Sequence, residues 1–251
     1  RELARAAACA SNQHQWAVMW TLYTDDNNGE YPDPRDPGYT YKNERGVWIY
    51  ALREYYENDV ESGILVCPSA KQEHPSDSFG ATNYAFTFKK EEQDDSSNTR
   101  LLASYGANLW ILNPSGGRHV QGRVVGNHWR NAYQRRPSEI PVFGDCRWRG
   151  GGPYQEDDMG PKSNPPPIPD PTRRSGKIEP ADEMASWVMD RHSGGINMSF
   201  MDGSARKVDV KELWTLKWSK VWNTSNPYTA GGGSQYDWAK EAPWLTNYPD
   251  Y

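Results

Sequence analysis

The chain is poor in aliphatic side chains: Leu, Ile, Val and Phe together make up only 35 of its 251 residues. A content that low borders on the composition of disordered chains. Long apolar runs are also missing. No stretch of 18 or more apolar residues occurs, which excludes a membrane-spanning helix within these residues, and no charged-then-apolar signal segment stands at the start. There is no excess of positive charge either. A net charge of -5 and a pI near 5.6, with the charges scattered, provide no basic stripe to follow a phosphate backbone, and nucleic acid is not an expected partner. Cysteine is scarce. Cys9, Cys67 and Cys146 stand far apart with no C-x-x-C pair, so neither a zinc knuckle nor a thioredoxin-like motif is indicated. One disulfide plus a free thiol outside the cytoplasm, or three unrelated buried thiols, both fit that count.

What the chain does have is aromatic rings. Twelve Trp and 15 Tyr supply the buried area that the aliphatics lack, so a folded domain with an aromatic core is expected. Residues 1–24 read as a helix, with Trp16, Trp20 and Tyr23 at i, i+4 and i+7, and Cys9 on the same stripe. Asp25 to Gly29 and then Pro32, Pro34 and Pro37 stop it. Asp25, Asp26 and Asn28 offer oxygen ligands for calcium, but the order lacks the spacing and terminal Glu of an EF-hand loop, and a helix stop with Asx-turns is the preferred reading.

Further along, 47–57 reads as a short amphipathic helix and 64–67 as a buried strand closed by Pro68. Residues 82–88, 103–112 and 140–148 read as strands. The stretch 150–180 is dense in Gly, Pro and Ser, with Pro165, Pro166 and Pro167 in succession, and reads as a long irregular loop. Two alternating runs, 196–201 and 205–210, flank Asp202-Gly203 as a tight hairpin. A short helix is expected over 211–222, and an aromatic tail over 223–251 that packs on the head formed by 25–222.

One element is specific. His192, nine further residues and then Asp202-Gly203 resemble the signature of the prepilin-type, His-(nine residues)-Asp-Gly family of type IV pilin-like and type II secretion pseudopilin-like proteins. Arg191, Gly194, Gly195, Asn197 and Phe200 are similar to its usual filling, as is the later run from Leu213 to Trp218. Cys9-Ala10-Ser11-Asn12, Cys67-Pro68-Ser69 and Tyr105-Gly106-Ala107-Asn108 occur in the expected order, so the resemblance covers roughly residues 3–220. It implies an α+β, pilin-like fold, a long N-terminal helix packed on an antiparallel sheet, with long irregular loops. It also implies an apolar upstream half of that helix, through which alone the protein would meet a membrane; the chain departs from the pattern there, opening at Arg1 in mid-helix. Because Cys9 and Cys67 lie in the two blocks where such proteins carry Cys, the resemblance implies a disulfide between them, closing a loop of about 58 residues and contributing around 4 kcal/mol. Cys146 is then the free thiol.

The function so implied is a non-enzymatic structural subunit of an extracellular or cell-envelope filament or secretion assembly, self-associating or joining related pilin-like subunits through the N-terminal helix. The alternative is a cell-surface module that binds glycans or peptides by stacking on Trp129, Trp148, Trp238 and Trp244. No catalytic residue, cofactor or metal is expected. His192 could act as a general base oriented by Asp202, but no nucleophile elbow, phosphate loop or H-E-x-x-H accompanies it. The preferred role of His192, Asn197, Asp202 and Gly203 is structural, holding the hairpin and the loop before it.

Overall fold

The computed structural model describes residues 1–37, 44–56, 63–74, 79–89, 100–154, 183–225 and 243–249. Its first element is a long helix, α1 (Glu2–Asp26), which buries Cys9, Gln13, Trp16, Trp20, Tyr23 and Thr24 along one face. The helix runs two residues past the expected end. It stops when the Asn27 amide turns back to the carbonyls of Tyr23 and Thr24, and Gly29, at φ +80°, closes onto Thr24.

Two short helices follow, α2 (Val47–Ala51) and α3 (Arg53–Tyr56), broken at Leu52 where a single helix was expected. The break lets the Tyr56 hydroxyl return to the Ile49 carbonyl at 2.7 Å while its ring reaches Trp16. The strands are β1 (Gln72–Glu73), β2 (Tyr84–Lys89), β3 (Arg100–Ala103), β4 (Tyr105–Asn108), β5 (His119–Val120), β6 (Arg123–Val124), β7 (Pro141–Asp145), β8 (Gly150–Gly151), β9 (Gly195–Phe200) and β10 (Ala205–Asp209). The main sheet has the order β10-β9-β7-β4-β8, antiparallel except where β8 runs parallel to β4. Helix α1 lies across β7, β9 and β10. The architecture is α+β, an N-terminal helix on a mostly antiparallel sheet. No described helix is long and apolar enough to cross a membrane.

Trp16 sits where helix and sheet meet, 4.7 Å from the Phe143 ring, 5.3 Å from Trp48 and 5.4 Å from Tyr56. Trp48, Trp110, Trp187, Trp214, Trp218 and Trp222 are also almost completely buried, so the core is built from aromatic rings. The hairpin of β9 and β10 turns at Asp202-Gly203. Gly203 takes φ +82°, and the Asp202 carboxylate accepts from the Ser204 amide and hydroxyl.

Three segments differ from the expected elements. Residues 64–67 form a turn and not a strand, because next to the sheet their backbone pairs with one residue only: Ser104 donates its amide to Leu65, and its hydroxyl accepts from the Cys67 amide, while the Ile64 carbonyl takes the Trp16 indole and the Val66 amide turns back to Gly63. The expected strand 103–112 divides at Ser104, and beyond β4 the Asn108 side chain accepts from the Trp110 amide and starts a 3-10 turn. The expected helix 211–222 is a 3-10 turn over Lys211–Thr215 only. Beyond it Leu216 is extended, and the indoles of Trp218 and Trp222 donate to the carbonyls of Leu213 and Trp214. Most of 150–180 and of the tail lies outside the described residues.

His128 is a pH-sensitive point in this core. Its Nδ1 meets the Val124 carbonyl at 3.2 Å, its ring packs 5.0 Å from Trp110, and Nε2 is buried with no hydrogen-bond partner among the described residues. Burial, with the nearby Arg123 charge, pushes its pKa down to about 3. The unfolded chain therefore binds the proton more readily, so this stability is complete above the ordinary imidazole value of about 6.5 and is lost as pH falls towards 3. Urea unfolding across that window will show a slope approaching about 1.4 kcal/mol per pH unit from this group, and His128→Gln will flatten it. Equal slopes in the two proteins would refute the assignment.

Candidate functional site

Four separate segments deliver polar side chains to one point beneath α1. Cys9 comes from the buried face of the helix, Cys67 from the end of the 64–67 turn, Asp145 from the last position of β7, and His192 from the loop entering β9. All four are buried, and one ligand atom from each lies within 4.8 Å of the others. The loop before β9 aims His192 inward. The amides of Arg191 and His192 both donate to the Gly195 carbonyl, Ser193 and Gly194 take positive φ, and the Gly194 amide is held by the Asp190 carboxylate at 2.6 Å.

Asp145 is the centre of the cluster. Its Oδ1 receives the Arg191 guanidinium at 2.8 Å, while Oδ2 receives the Asn197 amide at 2.9 Å, His192 Nε2 at 3.1 Å and Cys9 Sγ at 3.4 Å. Arg191 spends three of its remaining donors on the carbonyls of Thr82, Ser104 and Ala81 at 2.8 to 2.9 Å and another on Met189 Sδ at 3.4 Å. Cys67 Sγ lies 3.4 Å from His192 Nε2 and accepts from the Ser69 amide; the Tyr105 hydroxyl donates to Cys9 Sγ at 3.5 Å.

The charges are strongly coupled. Burial alone would raise the Asp145 pKa, but Arg191 and His192 outweigh it and hold the carboxylate well below the usual range. Burial opposes the charged form of His192, yet Asp145 and Cys67 raise it to about 9. For Cys67, too, burial acts upward, and contacts from Cys9, His192 and Arg191 bring the thiol down to about 6. Burial, reinforced by Cys67 and Asp145, keeps Cys9 raised.

The residues singled out in the sequence take these places. Cys9 and Cys67, the expected disulfide pair, come together in one buried cluster as free thiols, each sulfur with other polar partners. Cys146 is free and buried, with burial raising its thiol to about 12. The carboxylate facing His192 is Asp145 and not Asp202: nine residues lie between the two signature residues, and β9 (Gly195–Phe200) carries Asp202 to the hairpin end while His192 stays at the loop that enters the strand. Asp202 and Gly203 serve the hairpin turn alone. Asn197 joins the cluster through its amide, while its side chain donates to the Ala6 carbonyl of α1 at 3.0 Å.

Trp129 is buried and donates its indole N–H to Trp218, so it presents no face for stacking. Trp148 is half-buried between Phe79 and Phe86. Trp238 lies outside the described residues, and Trp244 falls on a 3-10 turn (Pro243–Asn247) whose side chains there are not described. Asp25, Asp26 and Asn28 are exposed at the helix end, with Asp26 accepting from the Tyr55 hydroxyl. Sequence reasoning missed Asp145, and it named Arg191 within the signature without giving it a role. The available signal was a charge at the end of the apolar strand Pro141–Asp145, where an ionised group needs a buried partner.

No family model matches the chain, and neither a curated protein nor a solved structure matches it. What this cluster does must be read from its own chemistry.

Removing Arg191 would strand a buried carboxylate and open three carbonyls. Arg191→Met is expected to cost about 3–5 kcal/mol in urea unfolding, and Arg191→Lys to recover little, since an ammonium lacks the planar fork that reaches four acceptors. Wild-type stability in Arg191→Lys would show that the fork geometry is not needed.

Proposed function

We propose that the chain is a pilin-like, non-enzymatic structural subunit, working outside the cytoplasm and assembling through its N-terminal helix. The observation that carries this reading is the outward face of α1. Ala4, Ala7, Ser11, Val18 and Leu22 are all exposed and follow one another at intervals of three, four, seven and four residues. Side chains so spaced form one stripe along a helix, and small residues with two aliphatics let another helix approach closely. Leu3, 85% exposed, adds an apolar group beside its start, and Val18 and Leu22 are each nearly half exposed. A helix of 25 residues with one face sealed onto an antiparallel sheet, and with a stripe of small and aliphatic residues open on the other and flanked by the polar His14 and Gln15, suits lateral association of copies.

The His-(nine residues)-Asp-Gly pattern supports the same reading. His192 works in a buried polar cluster and Asp202-Gly203 in a surface turn, so the two ends of the signature serve the packing of β9 under α1. The rival reading, a module stacking on glycans, loses Trp129 to the core.

Electron cryo-microscopy of the native material tests the proposal. Helical filaments whose subunits meet along α1 are expected. In the same material Val18→Glu with Leu22→Glu will abolish the filaments while shifting the unfolding free energy by no more than about 0.5 kcal/mol, as surface changes do. Discrete single particles, or filaments unaffected by the two charges, would overturn it.

A further inference from the structure

We propose that Cys9, Cys67, Asp145 and His192 bind one zinc-class divalent cation that staples α1 to the sheet, a role beyond the assembly reading and independent of it. The set is two thiols, one imidazole and one carboxylate, all buried and mutually close. Two sulfur ligands with one nitrogen and one oxygen are a tetrahedral donor set, which zinc accepts without a preferred geometry of its own.

The distances fit. A tetrahedron with ordinary zinc bonds to sulfur, nitrogen and oxygen has edges of about 3.4–3.6 Å between unlike ligands. The corresponding separations here are 3.4 Å for Cys67 Sγ to His192 Nε2, 3.4 Å for Cys9 Sγ to Asp145 Oδ2, and 3.1 Å for His192 Nε2 to Asp145 Oδ2.

Hydrogen bonding alone accounts poorly for the same contacts. Asp145 Oδ2 has two lone pairs, yet the Asn197 amide, His192 Nε2 and Cys9 Sγ all converge on it. The single hydrogen that Nε2 can carry faces both Oδ2 and Cys67 Sγ. With a cation at the centre, Oδ2 serves the Asn197 amide and the metal, while Nε2 and both sulfurs turn lone pairs to the ion.

Charge also closes. In the metal-bound state both thiols are thiolates and His192 is neutral with its hydrogen on Nδ1, the displaced protons passing to solvent. The two thiolates and the carboxylate are then balanced by the divalent ion and by Arg191, which holds Oδ1 and leaves Oδ2 free for the metal. The Ser69 amide and the Tyr105 hydroxyl already donate to the two sulfurs, as outer-shell groups do for metal thiolates. Four protein ligands leave no open position, so the site is structural and not catalytic.

The test uses the full chain purified from its native compartment without reductant or chelator. Elemental analysis should find about one zinc per chain. Denaturation in chelator, again without reductant, should release three reactive thiols, Cys9, Cys67 and Cys146. Cobalt exchanged into the wild type should give thiolate-to-cobalt charge transfer with tetrahedral absorption, a readout that needs no variant to fold. Cys67→Ser should lower zinc occupancy at least about tenfold, whereas Cys146→Ser, outside the cluster, should leave it unchanged. A metal-free protein with one reactive thiol would mean a Cys9–Cys67 disulfide instead. A metal-free protein with three thiols, or zinc retained by Cys67→Ser, would equally overturn the proposal.

Discussion

The pairing of Asp145 with Arg191 is the interaction on which the rest of the structure depends. Both groups are fully buried, and taking two ions out of water costs several kcal/mol each unless every lone pair and proton finds a partner. Here the partners are structural elements. Arg191 gathers the carbonyls of Ala81, Thr82 and Ser104, and Asp145 gathers the Asn197 amide, His192 and Cys9. One ion pair therefore sets the relative positions of α1, the segment before β2, the β3–β4 junction, the end of β7 and the start of β9. Such a pair contributes modestly to net stability and strongly to uniqueness, since a shift of any one element leaves a buried charge unmet.

The shortage of aliphatic side chains shapes the backbone as well as the core. A buried indole carries an N–H that needs an acceptor. Trp16 finds Ile64, Trp48 finds Arg149, Trp110 finds Pro153, Trp129 finds Trp218, Trp218 finds Leu213 and Trp222 finds Trp214, in every case a main-chain carbonyl. Carbonyls inside a sheet ladder are already taken, so the acceptors come from turns, strand ends and irregular segments. A core of tryptophans thus favours short strands and 3-10 turns, which is the texture of the described residues between α1 and the β9–β10 hairpin.

That coupling explains what was legible in the sequence. Helix α1 was legible because Trp16, Trp20 and Tyr23 repeat at helical spacing, and the hairpin because Asp202-Gly203 is a local turn signal with alternation on both sides. The turn at 64–67 was not, since four apolar residues before a proline look the same whether they pair with a strand or with the single residue Ser104. The cluster was half legible. Cys9, Cys67, Asn197 and His192 stood out, but Asp145 lies 46 residues from Arg191, and no periodicity links them. Asp202 drew attention because it is near His192 in sequence, and sequence neighbours at either end of an extended strand are far apart in space.

The cluster also bears on the outward face of α1. The first half of that helix is rich in alanine, and Ala4, Ala7 and Ala8 lie exposed, so apolar burial alone holds it weakly; the large rings all sit from Trp16 onward. What fixes residues 2–12 is polar. Cys9 meets Asp145 and Tyr105, Asn12 donates to the Tyr105 hydroxyl, the Ala6 carbonyl takes the Asn197 side chain, and Glu2 takes the Ser193 hydroxyl. For the proposed assembly through α1, the helix must not roll on its sheet, because a roll of one residue turns the stripe by about 100°. The Trp16 stack prevents that roll at one end, and the Cys9 cluster prevents it at the other. The buried chemistry beneath α1 and the surface above it are, in that sense, one arrangement.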